Sequence, residues 1–225
     1  MGPTTTTPDG AVDTRDMVVV HAALLREIRW APAAVARATP GPARRRARTA
    51  RHLRLVLDML GHHHDGEDRL LLPLLRERAP RDALRTVEAR EHEHAGIEDR
   101  LARVEEARGR WGDGDDDAAP ALAAGLEALH DELAPHLRAE EREVLPLAGQ
   151  YLSGSEWRAI GDAGVAAVPS SQLVTVFGML MHDADPEVVR GMLAHAPGPA
   201  RLLLPRIAPR AYARRRRAVH GPERS

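Results

Sequence analysis

The segments HHDGEDRLLLPLL, residues 63–75, and HLRAEEREVLPLA, residues 136–148, decide the architecture. Aligned at an offset of 73 residues, they share His, Glu, Arg, Leu, Pro and Leu at six positions, and Asp68 is matched by the similar Glu141. The same offset relates His21 to His94, so the pairs His21/His94, His63/His136, Glu67/Glu140 and Pro73/Pro146 all obey one spacing. Coincidence would have to place the same residue types at one interval four times. The chain therefore reads as two helical hairpins related by approximate two-fold symmetry.

Each segment lies inside a longer amphipathic pattern of period 3.6. A first helix begins near Asp13 and carries Met17, His21, Leu24, Leu25 and Ile28 on one face. After Pro40-Gly41-Pro42, a second carries Val56, Met59, Leu60, His63, Glu67 and Leu70. A third runs from Arg81 to Gly109 with Leu84, Val87, Glu91, His94, Glu98 and Leu101 in one stripe. The fourth starts near Ala118 with Leu122, Leu126, Leu129, Leu133, His136, Glu140, Val144 and Leu147 on its inner face. The acidic, glycine-punctuated residues 110–117 read as a surface connection. Together these predict an all-α fold, an antiparallel up-down four-helix bundle over residues 13–151.

Residues 1–12 read as a disordered N-terminus, and residues 152–225 as a small helical C-terminal segment divided by Pro and Gly. In that segment Ser155 is expected to cap one helix and Asp185-Pro186 to open another. It ends in a basic stretch, Arg206, Arg210 and Arg214 to Arg217, which reads as a solvated tail.

Composition narrows the function classes. The 225 residues carry a formal net charge of -1, which argues against a globally basic nucleic-acid binder. The absence of cysteine removes disulfides, thiolate nucleophiles, zinc fingers and iron–sulfur clusters, so any metal must rest on His, Asp and Glu. No basic and apolar leader opens the chain, and the longest uncharged stretch, residues 163–181, is broken at Pro169. The expectation is a cytoplasmic protein with no membrane span. No phosphate-binding glycine loop or nucleotide fingerprint is present.

The apolar stripe of every bundle helix contains a histidine, a costly residue to bury without a partner. His63 with Glu67, and His136 with Glu140, stand four residues apart, which brings an imidazole and a carboxylate onto one helix face. Adding His21 and His94 gives a candidate metal set of His21, His63, Glu67, His94, His136 and Glu140 aimed at the bundle axis. That is too many donors for one closed tetrahedral ion and suits two ions with an open position. Two iron ions fit best, with zinc or manganese as alternatives.

Other candidates read differently. His64 shares a stripe with Leu53, Leu57, Leu60, Leu71 and Leu75, but its symmetry mate is Leu137, so it reads as a structural or outer residue. Glu91 and Glu98 flank His94 and read equally as metal carboxylates or as partners for Arg. His92 reads as exposed, and His52 lies too far along its helix to reach the same ions. His62, His130, His182, His195 and His220 have no repeat partner and read as surface or packing residues.

On His21, His63-His64-Asp65-Gly66-Glu67-Asp68 with Pro73, His94, and His136-Leu137-Arg138-Ala139-Glu140 with Pro146, the chain resembles the hemerythrin-like family of His-His-Glu cation-binding domains. The resemblance implies a non-haem di-iron centre inside the bundle that reacts with dioxygen, peroxide or nitric oxide. Oxygen-carrying members place an additional His four residues after the first ligand of the third helix, where this chain has Glu98. That departure speaks against simple oxygen carriage, and the resemblance also admits peroxide-consuming, catalase-like turnover. The competing reading is a non-catalytic metal- or redox-dependent regulator acting through the C-terminal segment. A purely structural metal site, of zinc for example, is a third.

Overall fold

The computed structural model describes residues 12–194 and 198–221, so the N-terminal residues 1–11 and His195 lie outside the described residues. All regular structure among the described residues is helical. In chain order the elements are α1 (Arg15–Ala38), α2 (Ala43–Gly66), a π-helical turn (Glu67–Leu71), α3 (Leu72–Arg78), α4 (Arg81–Gly112) and α5 (Ala118–Glu143). There follow α6 (Leu145–Tyr151), α7 (Gly154–Ala167), α8 (Leu173–Met181), α9 (Pro186–Leu193) and α10 (Gly198–His220).

Helices α1, α2, α4 and α5 pack around a ring in that order, each on the next and α5 back on α1, as short links between antiparallel neighbours require. The repeat is legible in the breaks. Helices α3, 72–78, and α6, 145–151, are equivalent at the same offset of 73 residues. Each carries its proline, Pro73 or Pro146, in the first turn, where the missing N–H costs least. The two breaks nevertheless differ in kind. Before Pro73 the backbone widens, with the Leu72 amide donating to the Glu67 carbonyl five residues back. Before Pro146 the ladder keeps α spacing, with Val144 N–H on Glu140 O at 2.8 Å.

Two apolar clusters fill the bundle. The larger contains Leu24, Ile28, Leu53, Leu60, Ile97, Leu122 and Leu137, and the smaller contains Met17, Leu71, Leu75, Val87, Val144 and Leu145. Full burial of each such side chain contributes about 1.5–3 kcal/mol. On all four bundle helices the candidate donors fall between these clusters, as between Met17 and Leu24 on α1 or Val87 and Ile97 on α4. The centre of the bundle is therefore a polar layer held between two apolar ones.

Of residues 110–117, read as a surface connection, 113–117 form it as a mostly exposed turn, but 110–112 do not. Helix α4 continues to Gly112, and Trp111 is fully buried in the larger cluster with its indole N–H donating to Thr39 Oγ1 at 3.0 Å. One aromatic ring in a polar run outweighed the composition around it, because burying it gains more than solvating its neighbours.

In the C-terminal segment, Ser153 rather than Ser155 caps α7, forming a reciprocal capping box with Glu156. Asp185 caps α9 ahead of Pro186 as read, accepting from the Glu187 amide at 2.7 Å. Helix α10 packs along α8 and onto α1 and α2, so the basic stretch is part of a docked helix and not a solvated tail. Its closest approach to α8 is at Gly178, where a β-carbon would sit 2.1 Å from the Ala208 carbonyl oxygen. Among the described residues no single helix is long and apolar enough to cross a membrane.

Candidate metal centre

All six donors predicted from the repeat converge in the polar layer. His21, His63, Glu67 and Glu140 form one group with donor atoms within 4.8 Å of one another. His94 and His136 form a second group under the same limit, joined by His64. His64 is the residue that sequence reasoning misplaced. It is fully buried, stacks on His94 with ring centroids 4.4 Å apart, and lies edge-on to His136 at 5.3 Å. The signal that could have found it was the stripe Leu53, Leu57, Leu60, His64, Glu67, Leu71, a regular three-and-four progression through the core. Its leucine symmetry mate pointed the other way.

The two carboxylates touch both groups. Glu140 lies 3.1 Å from His136 and 3.4 Å from His94 through Oε1, and 3.8 Å from His21 through Oε2. Glu67 Oε2 lies 3.6 Å from His63 Nε2 and 3.7 Å from His94 Nε2.

An outer set of acids orients the imidazoles. Asp68 accepts from His94 Nδ1 at 2.7 Å, and Glu141 accepts from His21 Nδ1 at 3.0 Å. These contacts are symmetry mates, since the acid following the Glu of each half reaches across to the histidine of the other. Each fixes a ring so that Nε2 points inward, the arrangement that raises the basicity of a metal-binding imidazole. His136 Nδ1 is held by Glu93 at 2.8 Å, a residue that sequence reasoning passed over. The equivalent of Glu93 in the first half is Val20, so this third contact is not repeated.

Glu91 and Glu98 do not belong to the layer. Glu91 pairs with Arg76, and Glu98 is exposed. The buried stripe of α4 passes through Val87, His94, Ile97 and Val104, which turns residue 98 outward. His92 is exposed, as expected.

The electrostatics are those of a donor set lacking a counter-charge. Burial, then His21, push His63 down to about 3. Burial and His63 likewise hold His64 well below the usual imidazole value. Burial pushes His94 down too, but Glu140 and Asp68 prevail and raise it. Burial, reinforced by Glu140, drives Glu67 well above the carboxylate range. The same burial acts on Glu140, but contacts with His136 and His94 prevail and hold it well below. The protein by itself therefore favours the protonated form of Glu67, the ionised form of Glu140 and the neutral forms of His63 and His64.

The test of fit to a cation is the state of the inward atoms. His21 Nε2, His63 Nε2, both nitrogens of His64, Glu67 Oε2, His136 Nε2 and Glu140 Oε2 are buried without a hydrogen-bond partner. Such atoms cost about 1–3 kcal/mol each when left unsatisfied, and native proteins rarely gather several in one place. Imidazole nitrogens and carboxylate oxygens at this spacing suit borderline transition ions.

Comparison with known proteins agrees with the geometry. Neither curated proteins nor solved structures yielded a match to this chain. A family model described as the hemerythrin HHE cation binding domain matches residues 12–148, a span that takes in all four bundle helices and every donor in the polar layer. The chain thus belongs to the hemerythrin family of HHE cation-binding domains.

Proposed function

We propose that the polar layer holds two iron ions and that the protein binds or reduces a small ligand there, namely dioxygen, hydrogen peroxide or nitric oxide. The observation that carries this reading is the set of seven buried His and Glu side chains in two groups, with Glu67 and Glu140 in reach of both. His64, His94 and His136 would hold one ion, and His21 and His63 the other, with the two carboxylates shared. A bound iron pair supplies a coordination position left open by the protein and electrons for exchange with the ligand.

The remaining chemistry belongs to the chain. Asp68, Glu93 and Glu141 keep the imidazoles aimed inward. The flanking leucines and valines shield the layer from bulk water.

The deciding experiment is metal analysis of anaerobically purified full-length protein, followed by air exposure under visible spectroscopy. Two irons per chain and a new charge-transfer band on oxidation are expected. Zinc with a silent spectrum would defeat the reading.

One observation favours the regulatory alternative, in which centre occupancy alters C-terminal docking. Helix α1 carries His21 in the layer and Glu27 under α10, where Tyr212 and His220 contact it. Loss of a salt-sensitive DNA interaction on deleting residues 206–225 would support that role. Peroxide consumption unchanged by the deletion would support the first.

A further inference from the structure

A second cluster of potential metal donors lies outside the polar layer, on the C-terminal side of the larger apolar cluster. Glu27 of α1 and His52 of α2 are completely buried, and His220, the last residue of α10, is nearly so. His52 Nε2 and His220 Nε2 approach one and the same oxygen, Glu27 Oε2, at 2.8 and 3.1 Å. The other oxygen, Oε1, receives the Tyr212 hydroxyl and has the Arg26 guanidinium at 3.4 Å. Arg26 and Tyr212 thus serve one side of the carboxylate, and two imidazoles meet at the other.

Three donors from three helices, brought together from positions 27, 52 and 220, match the two-histidine, one-glutamate set that binds zinc while leaving a fourth position free. Around a tetrahedral ion with bonds of about 2.0–2.1 Å, neighbouring donor atoms stand about 3.3 Å apart. The observed 2.8 and 3.1 Å fall a few tenths short of that, and all three donor atoms lie within 4.8 Å of one another. Protonation is compatible as well. Burial holds His52 below its ordinary value, and although burial pushes Glu27 upward, its histidine and tyrosine contacts prevail and keep it ionised.

The cluster is separate from the layer. Six residues of α1 separate Glu27 from His21, about 9 Å along the axis, and eleven of α2 separate His52 from His63, about 16 Å.

We propose that Glu27, His52 and His220 form a mononuclear site for a divalent ion of the zinc class, filled independently of the bundle centre, that staples α10 to α1 and α2. The staple is aided by Arg37, whose guanidinium grips the carbonyls of Val219 and His220 and holds the helix end in place.

The test uses the full chain with its bundle centre already loaded with iron. Cobalt(II), a spectroscopic substitute for zinc, is expected to bind once more per chain and to show the intense ligand-field bands of four-coordinate geometry. His220→Ala and Glu27→Gln should abolish that uptake, and Glu98→Gln, a change at an exposed side chain outside both donor sets, should keep it. Absence of extra cobalt, or uptake that survives His220→Ala, would overturn the site and leave the cluster as a hydrogen-bonded contact only.

A second measurement needs no ligand variant. Trypsin cutting within the arginine-rich α10 should slow about 100-fold at a free zinc concentration 100 times Kd, provided cleavage follows local opening. An unchanged cutting rate at saturating zinc would also overturn the proposal. Because iron content and cobalt uptake are read separately, failure here is distinguishable from failure of the di-iron reading.

Discussion

The two halves of the repeat place the same residues in the same layer by different backbones. In the first half the chain widens into a π-helical turn at Glu67–Leu71 and presents adjacent imidazoles, His63 and His64. In the second half α5 stays α-helical to Glu143, with Pro135 inside it, and presents His136 alone, steadied by Glu93. What the halves share, a His-Glu pair followed by an acid, builds the parts of the centre that obey the two-fold. What they do not share makes its two sides unequal, three imidazoles against two.

Breaking what is common should have the largest effect. Glu140→Ala removes the carboxylate that touches both groups, and iron content by metal analysis should fall beyond the 10–100-fold typical of an orienting residue. Loading within a few-fold of wild type would mean that the halves do not share this ligand.

His64→Leu gives the first half the residue of its mate and tests the inequality directly. The ion on the His94–His136 side should be lost preferentially, leaving roughly half the iron. The same change removes two buried, unpartnered nitrogens, so the metal-free variant should be more stable by about 1 kcal/mol or more in denaturant titration. Lower loading together with lower metal-free stability would indicate a packing role instead.

Asp68→Asn and Glu141→Gln probe the symmetric outer contacts. Each should weaken iron binding by about 10–100-fold in chelator competition, and by similar amounts. A large effect from only one would show that the two-fold is geometric and not functional.

Acid and base should act oppositely on two buried histidines of the metal-free protein. His63, lowered from 6.5 to about 3, is neutral when folded, so its contribution is lost as pH falls below 6.5 and the unfolded chain takes up the proton. His94, raised above 6.5, gives stability that is present below that value and lost as pH rises through its folded value. The thermal midpoint of the metal-free protein should therefore fall less steeply on the acid side of pH 6.5 in His63→Gln and less steeply on the alkaline side in His94→Gln. Unchanged slopes in both variants would contradict the assignment.

The smallest effect is expected at Glu98. Because the side chain is exposed, Glu98→His should leave iron content and the visible spectrum unchanged. Any gain in loading would mean that α4 can rotate its stripe toward the centre.

The sequence by itself determined the bundle, the two-fold and the six side chains, from His21 to Glu140, that meet in the polar layer. Periodicity fixes which face of a helix is buried, and a repeated offset fixes which buried faces correspond. Only the tertiary structure decided the rest. His64 meets His94 and His136 because α4 and α5 pack against its buried stripe, Asp68, Glu93 and Glu141 act across helices, and Glu98 turns outward because the α4 stripe steps through Ile97. His220 lies 193 residues from Glu27, and no local pattern links them; their meeting depends on how α10 docks, with Gly178 giving it room. Local patterns record each helix's own faces, whereas contacts between helices exist only once the faces have met.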